Sequence, residues 1–238
     1  MTATASLFFA LVVATAAGIA CAAWRYLPRR SLTTVLLALP IWLVYVGTLS
    51  MLGIVGNAGL KPPGVVYLFV PVFLYMFFFA VRSRAAAAAA LAFPLWLLTA
   101  AQVFRVAVEV GLHRLGVEGL VPRLMTYDGG NVDIVIGLTA PIVAWLAASG
   151  RISRRLALGW NILGLLALAN VAVRAALTAP GPLHFIHADV PNLAIGMFPY
   201  TYIAGFFAPL AVLLHVLSIR ALRVKARADG SAHWVVMA

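Results

Sequence analysis

Gln102, Arg105 and Glu109 lie in an apolar segment long enough to cross a bilayer. An ionised side chain at the bilayer centre costs about 2.5–3.5 kcal/mol on insertion scales. Two opposite charges in one span therefore mark a candidate site. On a helix with Gln102 at the origin, Arg105, Glu109 and His113 fall at about −60°, −20° and +20°. Four polar residues thus share one narrow stripe. Arg105 and Glu109 are also i,i+4 neighbours, a spacing that lets each partly neutralise the other.

Two further segments carry compatible groups. Asn170 and Arg174 stand about 40° apart on a later apolar helix. Between them and the stripe runs Met125-Thr126-Tyr127-Asp128-Gly129-Gly130-Asn131-Val132-Asp133. Gly129-Gly130 marks a tight turn. Asp128, Asn131 and Asp133 are residue types found at helix N-termini. In the preferred reading these groups form a pocket. Arg105 and Arg174 supply positive charge for a small anionic molecule or lipid headgroup. Glu109, Asp128 and Asp133 balance or orient them, and Gln102, Asn131 and Asn170 are hydrogen-bonding neighbours. Two other readings stay open. The same residues could serve only as an ion-pair network that fixes helix packing in a subunit of a larger membrane complex. They could also serve an intramembrane enzyme with Glu109 or Asp133 as general base. Arg105 is six residues from Gly111, about 9 Å along a helix, so it could also snorkel to an interface with no ligand at all.

The elements that position these groups follow from composition. The chain has 238 residues, 64% hydrophobic and 10% charged. Soluble domains carry about 25% charged residues, so the class is an all-α, polytopic membrane helix bundle. A span needs about 20 mostly apolar residues. Seven spans are expected, at Ser6–Trp24, Leu32–Val55, Val65–Val81, Ala86–Gly111, Val132–Ala148, Leu156–Leu177 and Met197–Ile219, forming one membrane domain over 1–238. No Lys or Arg precedes the first run, so it reads as a retained helix rather than a cleaved signal peptide. Pro40, Pro71, Pro94, Pro141 and Pro209 fall within spans and are expected to kink them. Cys21, the lone cysteine, reads as packing.

Charge gives the orientation. The net charge of +11 punctuates the apolar segments, so it reads as topology and not as a nucleic-acid surface. Arg25, Arg29, Arg30, Arg82, Arg84, Arg151, Arg154, Arg155, Arg220, Arg223, Lys225 and Arg227 fall on one side. Lys61, Arg114 and Arg123 fall on the other. This places the N-terminus outside and the C-terminus in the cytoplasm. Glu109, Glu118, Asp128, Asp133 and Asp189 then gather at the outer ends of spans, and only Asp229 is cytoplasmic.

Other chemistry is thin. His184, His187 and Asp189 have a spacing that zinc accepts, but a Pro-rich extended segment carries exposed His equally well, so no metal and no cofactor is expected. His215, the only histidine well inside a span, reads as a residue near the cytoplasmic end of its helix, favouring the dipole. A single such His argues against a haem held between helices. The chain lacks His-Glu-x-x-His and Gly-x-Ser-x-Gly. No pair of intramembrane Asp residues occurs, and Gly56–Pro63 contains no acid.

One stretch has a wider likeness. It runs through Gln102-Val-Phe-Arg105, Glu109, Gly119-Leu-Val-Pro122, Met125-Thr126-Tyr127, Asn131-Val-Asp133-Ile134, Gly137 and Pro141. It continues through Trp160-Asn161, Gly164, Asn170, Pro191-Asn192 and Phe198-Pro199. This stretch, about 102–207, resembles a family of bacterial multi-pass integral membrane proteins with no assigned activity. That family has Gly-Arg-Asn-Phe-Asp where this chain has Gly129-Gly130-Asn131-Val132-Asp133, so one basic group is missing here. The resemblance implies a bacterial inner-membrane location and no residue roles. Expected partners are membrane lipid, a small anionic ligand and other membrane proteins, with no nucleic acid.

Overall fold

The computed structural model describes residues 2–180 and 185–235, with side chains up to residue 224. Every regular element among the described residues is helical. α1 (Ala3–Tyr26) begins where the Thr2 hydroxyl accepts from the Ala5 N–H, a side-chain cap. α2 spans Arg29–Met51 and α3 spans Val65–Leu74, which widens into a π turn over Tyr75–Arg82. α4 is Arg84–Ala92, capped by Ser83. α5 is Leu95–Ala100 and α6 is Phe104–Val117, joined through a 3₁₀ turn at Ala101–Val103. α7 is Asp133–Ala148, α8 is Arg154–Thr178, and α9 is Ala208–Val235 after a π turn at Ile203–Phe207.

Among the described residues six helical stretches are long and apolar enough to cross a membrane: Ala3–Tyr26, Arg29–Met51, Val65–Arg82, Leu95–Val117, Arg154–Thr178 and Ile203–Val224. The expected fifth span is α7, only 16 residues long. That is about 24 Å at the usual rise, short of a hydrocarbon core of about 30 Å.

The expected helix Ala86–Gly111 is broken at Pro94, between α4 and the stretch Leu95–Val117 that holds α5 and α6. Pro94 has no N–H and disfavours helical backbone at the residue before it. Phe93 accordingly leaves the helix with ψ 132°, ending α4, and Pro94 starts α5. The other prolines differ in effect. Pro40, Pro71 and Pro141 stay inside continuous helices. Pro209 lies inside the continuous stretch Ile203–Val224, and the Gly205 carbonyl four residues before it accepts from Trp42 Nε1 at 2.7 Å instead.

Long-range contacts fix which ends share a side. Thr4 at the start of α1 donates to Glu118 after α6. The Leu193 and Ala194 N–H groups both donate to the Leu120 carbonyl, at 3.0 and 3.1 Å. Ser50 and Thr201 share a hydroxyl contact of 2.7 Å. A Cβ on Gly196 would lie 2.6 Å from the Gly56 Cα, so these two backbones need glycine to meet. The start of α1 and the links 52–64, 118–132 and 185–202 therefore gather at one end of the bundle, the link end.

At the opposite end Arg220 donates to the carbonyls of Ala80 (2.8 Å), Val81 (3.0 Å) and Ser83 (3.0 Å). The Ala80 and Val81 carbonyls lie where the π turn ends, and the Ser83 carbonyl, which opens α4, also accepts the Ala87 N–H at 3.4 Å. Arg220 is half-buried, so the charged bonds are discounted for solvent. Arg220→Ala is expected to cost about 1–2 kcal/mol, read as a lower thermal midpoint in detergent. An unchanged midpoint would mean that α9 does not hold the α3–α4 junction.

Candidate functional site

Arg105 is 1% exposed, and every branch of its guanidinium has a protein acceptor. Nε donates to Asp133 Oδ2 at 2.8 Å and Nη2 to Asp133 Oδ1, a forked carboxylate pair. Nη1 donates to His215 Nε2 at 2.9 Å, and Nη2 also approaches the Gly164 carbonyl at 3.5 Å. A guanidinium only donates, so His215 Nε2 accepts and Nδ1 carries the proton. Nδ1–H then donates to Asn161 Oδ1 at 2.9 Å, and Asn161 Nδ2 donates to the Ala157 carbonyl at 2.8 Å.

Four helices supply this centre: α6, α7, α8 and α9. Two glycines let them close on it. A Cβ on Gly164 would run into the His215 ring, and one on Gly137 would lie 2.8 Å from Val106 Cγ2 and 3.3 Å from Arg105 Cβ. His215 is fully buried and faces α6 and α8. It does not serve the end of its helix, as the sequence suggests. It is the thirteenth residue of a 22-residue apolar stretch, and that mid-depth position is the one sequence signal pointing to a partner. Asn161 carries no such signal by itself.

Toward the link end the network continues through Asn131. Its Nδ2 donates to Glu109 Oε2 at 2.7 Å and to the Met125 carbonyl at 3.0 Å. Its Oδ1 accepts from the Asp133 N–H at 3.0 Å, closing the first turn of α7. Arg105 and Glu109 are therefore not each other's ion pair, contrary to their i,i+4 spacing. Asp133 faces Arg105 from another helix and offers it both oxygens, whereas Glu109 is taken by Asn131. The link itself is packed. Val121, Pro122, Met125, Thr126 and Asn131 are buried.

The remaining expected residues lie apart from this network. Gln102, in the 3₁₀ turn, donates to the Ala211 carbonyl at 3.1 Å, while its buried Oε1 has no hydrogen-bond partner. Asp128 is exposed and pairs with His113 Nδ1 at 3.2 Å, and the His113 ring stacks on Tyr127 at 4.7 Å. Arg174 is half-buried on α8, and Nη1 donates to the carbonyls of Leu124 (2.8 Å) and Gly129 (2.9 Å). Among the described residues no acid forms an ion pair with it. Asn170, one turn earlier, has a buried Oδ1 without a hydrogen-bond partner. Asp189 accepts from the Arg123 N–H at 3.3 Å through both oxygens. His187 and Asp189 are exposed, His184 lies outside the described residues, and no cluster able to hold a metal occurs among those described.

A family model described as a domain of unknown function (DUF8737) matches residues 62–223, well over half of the chain, and the chain belongs to that family. The match contains the whole of the Arg105 network and the stretch 102–207, and it leaves α1 and α2 outside. No curated protein and no solved structure matches.

Proposed function

We propose that this DUF8737 member is an integral protein of the bacterial inner membrane that binds a small anionic molecule or an anionic lipid headgroup at its link end. Arg174 is the cation that meets it. One observation carries the reading: among the described residues Arg174 is a half-buried charge whose hydrogen bonds go to neutral carbonyls, with no acid in ion-pair reach. Charges taken from water are normally paired, and a bound anion would supply the missing partner. Gly130, at φ +93°, lies over the guanidinium; a Cβ there would come within 3.5 Å of both terminal nitrogens. Glycine leaves that face uncovered. A phosphate or phosphate ester suits the guanidinium, which offers its N–H groups to two acceptor oxygens side by side.

In this reading the link end faces outward, the basic residues at the other end stay in the cytoplasm, and α7 makes a short seventh crossing completed by the packed link before it. The excess of Arg and Lys on one side supports that orientation.

The soluble probe is glycerol 3-phosphate, titrated calorimetrically against the detergent-purified protein. Arg174→Gln is expected to lose at least about tenfold in affinity, and Arg174→Lys to retain part of it. Equal binding by wild type and Arg174→Gln, or no binding by either, would sink the reading.

A second reading has its own support. Arg105 has no donor branch left over, so its network could serve helix packing alone, in a structural subunit of a larger membrane complex.

A further inference from the structure

A groove of about 510 Å³ runs between α1 and α6, away from both Arg105 and Arg174. Leu7, Leu11 and Ala14 form one wall, and Ala107 and Val110 the other. Phe8 forms the floor: it is 3% exposed, and its ring meets Tyr200 and Phe207 edge-on, each at 5.6 Å. A Cβ on Gly111 would lie 3.3 Å from that ring, so the absence of a side chain there keeps the groove open. The polar lining lies at the link end, at Thr4 and Arg114.

The groove's dimensions and polarity indicate its occupant. From Thr4 to Ala14 the wall is about 15 Å long, half of a hydrocarbon core of about 30 Å, or one leaflet. α1 and the stretch Leu95–Val117 that contains α6 are each long and apolar enough to cross a membrane. Leu7 and Val110 on the lips are exposed, so the groove opens sideways. Water inside would lack the two to four polar partners it needs. At the mouth Arg114 is exposed and forms no ion pair among the described residues. The acid one turn away, Glu118, accepts the Thr4 hydroxyl at 2.6 Å. The occupant must therefore be apolar for the length of one leaflet and anionic at one end.

We propose that the α1–α6 groove is a lipid site that holds one acyl chain of an anionic glycerophospholipid, with its phosphate against Arg114. The site is independent of Arg174. The test is native mass spectrometry of delipidated protein, back-titrated with phosphatidylglycerol or phosphatidylcholine. Wild type is expected to retain one phosphatidylglycerol with a preference of about fivefold, the usual effect of one basic residue near an anionic surface. Arg114→Gln is expected to abolish the preference while chain binding remains. Ala107→Phe, at an exposed wall position, is expected to abolish retention of both lipids with the thermal midpoint unchanged. If that variant misfolds, Ala14→Phe fills the same groove from the other side. Arg174→Gln is expected to change none of these. Wild type without lipid preference, Arg114→Gln with the preference intact, or a groove-filling variant that still retains the lipid would each overturn the proposal. So would a wild-type spectrum containing only a lipid-free dimer.

Discussion

Arg105→Ala is expected to give a protein that folds but unfolds at a much lower temperature. The substitution leaves Asp133 buried without a counter-charge and His215 Nε2 without a donor. Breaking a buried pair from one side costs about 3–5 kcal/mol, against a total stability of about 5–15 kcal/mol for a typical domain. Replacing both partners is different, because no orphan charge remains. Arg105→Met combined with Asp133→Leu is expected to recover most of the loss, short of about 1–3 kcal/mol for the His215 acceptor. Thermal unfolding in detergent measures both variants. A double variant as damaged as Arg105→Ala would show that the charges do more than pair with each other.

Gly164→Ala comes next in size. Its Cβ would occupy space held by the His215 ring. The ring cannot swing away freely, because Nε2 is held by Arg105 and Nδ1 by Asn161. Overpacking costs about 1–3 kcal/mol, and the hydrogen bonds lost with it add to that. Combining Gly164→Ala with His215→Ala relieves the clash, so the pair is expected to be less than additive by about 0.5–3 kcal/mol. Gly159→Ala is the control on the same helix, since a Cβ there meets nothing within 4 Å. Alanine in a helix interior is then worth about 0.5–1 kcal/mol over glycine. If Gly164→Ala behaves like Gly159→Ala, α8 does not press on His215 as described.

Much of this centre is visible in the sequence, because charge inside an apolar run stands out. Arg105, Glu109 and Asp133 are identifiable that way, and Gly129-Gly130 is legible as a turn. Their pairing is not legible. A helix wheel places Arg105 beside Glu109, but the partner that wins comes from another helix with both carboxylate oxygens aligned. His215 announces itself only by its mid-span position, and Asn161, which α8 brings to His215, is not announced by anything in its own helix. Proline is similarly ambiguous. Pro94 splits a helix while Pro40 and Pro141 do not, and nothing in the local sequence separates the two outcomes. The links read as long and polar, but their burial depends on the packing of 118–132 against 185–196. The network around Arg105 is itself closed, and Arg174 stays outside it with no acid in ion-pair reach among the described residues.

The most direct test of this division of labour is the affinity of the Arg105→Met/Asp133→Leu variant for glycerol 3-phosphate. On the proposed reading the network supports the fold and the anion meets Arg174, so the variant is expected to bind within about twofold of wild type. A loss of about tenfold or more in a folded variant would contradict the account and place the anion at Arg105.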